Sequence, residues 1–239
     1  VTASRSIAVK SMYEHHGSGF HCSANNEKKV PDTKAMSCTP EGFAPVVHMD
    51  QPYWVFNFTK GPAEGWTCPY VFQIGRYDEV RPGMYLTALF GGERDLHVGI
   101  DIGAPVGTAV HSFADGKIHS FGINKEDGSY GPTLVLEYQL SWPPTPNNDN
   151  PVQTIWALYG HLSTASLEGK VIGALVNKGD CIAYMGHKQE NGGWEPHVHF
   201  QLSIIEPLVP DLPGVVRRLD REQALHDYPD PRLVMGPLY

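Results

Sequence analysis

Glycine and proline return so often along this chain that short strands joined by turns are favoured over long helices. The 25 Gly and 20 Pro among 239 residues punctuate runs of β-branched and aromatic residues, the composition of half-buried strands. Tyr53–Phe58 and Tyr70–Ile74 are two such runs, and the spacing predicts further strands over 96–102, 108–113, 116–121, 132–140, 154–162, 181–186 and 197–204. Asp115-Gly116 predicts a hairpin between Ala109–Phe113 and Lys117–Phe121. Ser141–Gln153, rich in Pro, Asn and Asp, reads as a loop inserted in a hairpin. One short helix is expected over Asp220–His226, capped by Asp220 and stopped by Pro229 and Pro231, followed by an extended tail to Tyr239. The expected fold is mainly β, an antiparallel sheet or sandwich. Residues 1–50 read as an irregular N-terminal arm, 51–206 as the β-rich domain and 207–239 as a C-terminal extension with the helix.

Within this frame one segment carries chemistry. In His97-Val98-Gly99-Ile100-Asp101, read as an extended strand, His97, Gly99 and Asp101 share one face, while Val98, Ile100 and Ile102 point the other way. The glycine between an imidazole and a carboxylate leaves room for an ion. Pro196-His197-Val198-His199-Phe200 repeats the device with two His on one face, and Leu158-Tyr159-Gly160-His161-Leu162 adds another His in an apolar setting. Imidazole and carboxylate together suit zinc, and three protein ligands with one open position is the coordination of a catalytic zinc. The other His of the 12 have bland readings. His15, His16, His21, His48, His187 and His226 read as surface residues, and His111 and His119 as a cross-strand pair.

Charge and cysteines bound the rest. A net charge of -8 argues against nucleic acid as a partner, which requires a basic face. No apolar run reaches the roughly 18 residues of a membrane span. Cys22 and Cys38 lie in the polar arm, where a disulfide and free thiols are equally open readings. Cys181 reads as a buried strand residue. The chain begins with Val, which suits removal of a targeting segment and a secreted, periplasmic or organellar location; a trimmed start reads the same.

The order His-x-Gly-x-Asp, Tyr-Gly-His-Leu, Pro-His-x-His-Phe resembles the lysostaphin-type (LytM-like) zinc metallopeptidases. Ala104–Val110, Ala114–Ile118, Val176–Asp180 and Tyr184–Gly186 resemble that family's flanking turns, and the likeness spans roughly residues 95–205. The resemblance implies one zinc held by His97, Asp101 and His199, with His161 and His197 as unliganded catalytic imidazoles. His197 would be the base and His161 the transition-state stabiliser, in interchangeable roles. It implies a zinc metalloendopeptidase acting on peptidoglycan or a Gly-rich peptide. Three departures stand out: Gln201 occupies a position where many members have Glu, Trp194 and Glu195 would stand at the groove rim as substrate contacts, and Phe90 and Gly91 occur where several members place a tyrosine. The long arm is a candidate surface for a protein partner. The alternative reading is a metal-binding but non-catalytic subunit of a larger assembly.

Overall fold

The computed structural model describes residues 28–29, 39–62, 67–147 and 149–239. The strands are β1 (Lys28–Lys29), β2 (Tyr53–Val55), β3 (Phe72–Gly75), β4 (Glu79–Val80), β5 (Arg94–His97), β6 (Ile100–Gly103) and β7 (Ala109–His111). They continue with β8 (Gly116–Asn124), β9 (Gly131–Ser141), β10 (Val152–Gly160), β11 (Leu175–Val176), β12 (Cys181–Tyr184), β13 (His197–Ser203) and β14 (Val215–Arg217). Two short helices follow, α1 (Arg221–Asp227) and α2 (Arg232–Met235). The fold is mainly β, as the Gly/Pro punctuation predicts. Nine strands form one sheet in the order β1-β2-β3-β6-β13-β10-β9-β8-β11, beside a β12-β7 pair and a β14-β5-β4 sheet. All pairings are antiparallel except β2 with β3.

The large sheet positions the site through its middle strand. β13 lies between β6 and β10, and every one of its residues is buried. Its apolar side, Val198, Phe200 and Leu202, joins Ile100, Ile102, Leu134, Leu136, Ala157 and Tyr159 in the main core. Its other side carries His197, His199, Gln201 and Ser203, set there by the two-residue strand period. This polar side is covered as well, because an aromatic cluster of Trp54, Phe56, Phe58, Met84, Tyr85, Phe90 and Trp194 is joined by Val215.

Several expectations need correction. The predicted strand 96–102 is two strands in two sheets: His97 ends β5 and Asp101 lies in β6, with the chain bending at Val98-Gly99. The Asp115-Gly116 turn does not make a hairpin, since β7 pairs with β12 while β8 pairs with β9 and β11. His111 and His119 therefore do not pair; His111 packs on His48, and His119 lies near Trp156 and Glu206. Cys181 is exposed, because β12 belongs to a two-stranded ribbon that nothing covers at that position. Tyr53–Phe58 is a strand only to Val55, after which Phe56 and Phe58 turn into the aromatic cluster. Asp220 precedes α1 but its carboxylate is bound by Arg217, so it makes no side-chain cap. The tail forms α2 where an extended segment was expected, with Pro231 at its N-cap. His48, His187 and His226 are exposed as expected, whereas His15, His16, His21 and the Cys22–Cys38 question lie outside the described residues. No helix among the described residues is long and apolar enough to cross a membrane.

Candidate metal centre and active site

The two-residue bend at Val98-Gly99 brings His97 back over the sheet. In the antiparallel register His199 pairs directly with Asp101 on β6 and with Gly160 on β10. A side chain on Gly99 would collide with the His199 ring, its Cβ lying 2.4 Å from Cε1 and 2.5 Å from Nε2. The glycine thus makes room for a ligand ring and not, as the sequence suggested, for the ion itself.

Three donors converge. His97 Nε2 lies 3.1 Å from Asp101 Oδ1 and 3.1 Å from His199 Nδ1, and His199 Nδ1 lies 3.0 Å from Asp101 Oδ1. The outer atoms are all engaged. His97 Nδ1–H donates to the Arg76 carbonyl (2.8 Å), and His199 Nε2–H donates to Gln201 Oε1 (2.9 Å). Asp101 Oδ2 accepts from the Arg81 guanidinium (2.7 Å). With their outer nitrogens protonated, neutral imidazoles turn bare lone pairs inward against a carboxylate oxygen. Three electron-rich atoms at such spacing repel one another unless a cation lies between them. A tetrahedral zinc with bonds of about 2.0 Å requires donors about 3.3 Å apart, so the donor set fits zinc.

Electrostatics agree. Burial, aided by the Arg81 charge, drives the His97 pKa down to about 4, so the ring is neutral near pH 7. Burial opposes ionisation of Asp101, but His97 and Arg81 outweigh it and hold the carboxyl well below the usual range. An anionic carboxylate oxygen at Asp101 and a neutral imidazole at His97 are protonation states that suit metal binding.

A second pair of imidazoles sits beside this triangle. His161 and His197 lie with ring centroids 4.2 Å apart. His161 Nδ1–H donates to the Asn191 carbonyl (2.7 Å) and His197 Nδ1–H to the Glu195 carbonyl (2.6 Å), which leaves both Nε2 atoms free of hydrogen. Burial lowers both pKa values, that of His161 further with His197 beside it. His161 has a φ of 62°, the left-handed region that costs a non-glycine residue energy, and its N–H is held by the Tyr130 carbonyl (2.8 Å).

All five residues line one cavity of about 290 Å³, and each is at most 5% exposed. Trp194 is a buried wall residue rather than a rim residue. It is 4% exposed, its indole N–H donates to the Gly128 carbonyl (3.1 Å), and its ring packs on Tyr85 and His161. Glu195 does not line the cavity: its carboxylate pairs with Lys188, and its carbonyl orients His197. Phe90 lines the cavity as a plain aromatic, while tyrosines reach it from elsewhere, Tyr85 beside Arg81 and Tyr130 against the rings of His161 and His199. Arg81, Tyr85 and Tyr130 carry no spacing signal toward the motifs; only their placement in the fold reveals them.

Residues 95–209 match Peptidase family M23. The DD-carboxypeptidase/endopeptidase Mpg of Neisseria meningitidis serogroup B is 36% identical over 110 residues, 46% of this chain and 20% of the relative. Mpg of Neisseria gonorrhoeae is 34% identical over the same length, again 20% of the relative. The chain thus spans about a fifth of the length of the curated relatives it matches. Among solved structures, the catalytic domain of the antimicrobial peptidase lysostaphin from Staphylococcus simulans shares 21% identity at a TM-score of 0.39, covering 62% of this chain and 90% of that one. A zinc-containing peptidase from Vibrio cholerae shares 22% at 0.36, covering 65% and 41%. The resemblance carried by the three histidine motifs holds over residues 95–209, the segment that matches Peptidase family M23.

Proposed function

We propose that this protein is a zinc-dependent metalloendopeptidase that hydrolyses peptide bonds in peptidoglycan cross-links or stems. The observation that carries the reading is the convergence of His97 Nε2, Asp101 Oδ1 and His199 Nδ1 within 3.1 Å, each held from behind by a hydrogen bond that aims its lone pair inward. These three residues would hold one zinc. A zinc ion there supplies a Lewis acid for the scissile carbonyl and makes water easier to deprotonate.

The chain's own residues do the rest. His197 Nε2, 3.9 Å from Asp101 Oδ1, accepts the proton of the attacking water, and the protonated ring then serves the leaving amine as acid. His161 is the second buried acceptor. Its bare Nε2 takes the second proton of the attacking water, and the ring carrying that proton donates to the oxygen on which negative charge develops, a contact of the kind worth roughly 3–4 kcal/mol. The two roles are interchangeable, because the rings are held alike. Trp194 forms the wall against His161 and limits the width of what enters beside it. The resemblance to the lysostaphin-type family motivates peptidoglycan as the substrate, and the relatives' name, DD-carboxypeptidase/endopeptidase, agrees with cleavage of a peptide bond.

Metal analysis and hydrolysis of purified peptidoglycan and a pentaglycine peptide test the reading, on wild type, His97→Ala and His161→Ala. About one zinc per chain is expected, lost with activity in His97→Ala. His161→Ala should keep the zinc and lose roughly 10²–10⁴-fold in kcat. A wild type without zinc would sink the proposal, and zinc without turnover on either substrate would favour a non-catalytic subunit.

A further inference from the structure

We propose that Arg81, which lies ahead of the family-matching segment, is a positioning residue for the metal centre. It fixes the Asp101 carboxylate directly and the His97 ring through a shared carbonyl. The inference rests on reading His97, Asp101 and His199 as zinc ligands.

Arg81 is 1% exposed, and each of its three guanidinium nitrogens donates a hydrogen bond. It donates to Asp101 Oδ2 (2.7 Å), Glu79 Oε2 (2.9 Å), the Tyr85 hydroxyl (3.1 Å) and the Arg76 carbonyl (3.0 Å). Its planar end also lies over the Phe58 ring, 5.2 Å from the centroid. Two consequences follow for the donor set. With Oδ2 held by Arg81, the carboxylate cannot swing to offer both oxygens, so Oδ1 alone faces the imidazoles. The Arg76 carbonyl accepts from both Arg81 and His97 Nδ1 (2.8 Å), so one oxygen ties the angle of the His97 ring to the position of the guanidinium.

Neighbouring residues keep this contact in place. A Cβ on Gly75 would lie 2.7 Å from Asp101 Oδ2 and 2.8 Å from an Arg81 terminal nitrogen, so the backbone there leaves room for the ion pair. Glu79 is anchored in turn by the Phe58 N–H, 3.0 Å from Oε1. One guanidinium between two buried carboxylates leaves a net negative cluster, and a divalent cation at the triangle answers it. Lysine could not substitute, since a single ammonium on a flexible stem cannot reach a carboxylate on each side and a carbonyl at once. Ligand-orienting partners of this kind set metal affinity in general.

The test uses the full chain and Zn²⁺ alone, titrated against a chromophoric chelator, with the visible absorption of the Co²⁺-loaded protein as a reporter of ligand geometry. The informative variant is Glu79→Gln/Arg81→Met, which removes the guanidinium together with the charge it neutralises and keeps an oxygen for the Phe58 N–H. It should remain folded by circular dichroism, bind zinc roughly ten- to a hundredfold more weakly than wild type, and give an altered Co²⁺ spectrum. Arg81→Lys, which retains the charge but not the fork, should recover only part of the affinity. Wild-type zinc affinity and Co²⁺ spectrum in either folded variant would overturn the proposal. A wild-type protein that takes up no zinc would instead overturn the zinc reading beneath it.

Discussion

The two sides of the cavity are built from different kinds of sequence. The floor is strand: His97 at the end of β5, Asp101 on β6, His197 and His199 on β13, and His161 just past β10. The opposite side comes from Arg81, Tyr85 and Phe90 before the first motif and from Val209 and Asp211–Val215 after the last. On the floor His197 and His199 follow from local periodicity, because a residue's neighbour two along shares its face, while the bend at Val98-Gly99 returns His97 to them. The roof has no such rule, being assembled from aromatic side chains that leave irregular segments and meet in one cluster. The lesson is that donor identity is a local property, whereas dryness and ligand orientation are supplied by segments distant in sequence. Burial of the floor's polar face is the roof's doing, and so are the depressed histidine pKa values.

Trp194 tests the roof most directly. Trp194→Ala should cost roughly 3–5 kcal/mol in chemical denaturation, the penalty for emptying a packed aromatic site. A loss under about 1 kcal/mol would restore Trp194 to the exposed rim that the sequence suggested.

Gly99 tests the floor. Gly99→Ala drives a methyl into the His199 ring and should destabilise by roughly 1–3 kcal/mol, with zinc affinity reduced in the same variant. Unchanged zinc affinity by chelator competition would mean that His199 has space to retreat and that the close approach is not part of the site.

Acid tests the join between them. In the metal-free protein the folded-state pKa of His97 lies near 4 and that of His161 is also well below 6.5, burial being the main cause in both. Unfolded, these rings titrate near 6.5, so between that value and the folded pKa the unfolded chain binds protons that the folded chain refuses. Stability is therefore complete above pH 6.5 and falls as pH drops toward 4. Thermal melts of the metal-free protein from pH 7 to 5 should show Tm declining, and a flat profile would mean that water reaches the rings.

The smallest effect serves as a control on the exposed ribbon. Cys181→Ser should change stability by no more than about 0.5 kcal/mol, because the thiol is outside both walls. A loss of several times that size would return Cys181 to the core in which its sequence setting placed it.

Much of this was legible in the sequence. The β character followed from Gly/Pro punctuation, and the residues forming the donor triangle followed from alternation at 97–101 and 197–199 together with the family resemblance. What periodicity concealed were the interruptions. The run 96–102 is alternating in sequence yet divides between two sheets at the bend by Gly99, where the His199 ring on β13 leaves no room for a side chain. Asp115-Gly116 has hairpin chemistry, but β7 pairs with β12, a partner about 70 residues away that no local turn signal specifies.

By itself the sequence determined which atoms could bind a metal: two imidazoles and a carboxylate at strand spacing, with two more imidazoles to move protons. Only the tertiary structure decided that Gln201, Arg76 and Arg81 stand behind those atoms and turn their lone pairs inward. The physical reason is reach. Strand alternation acts over two residues, whereas a buried guanidinium and its carboxylate partner 20 positions away are matched only when separate sheets close over the same cavity.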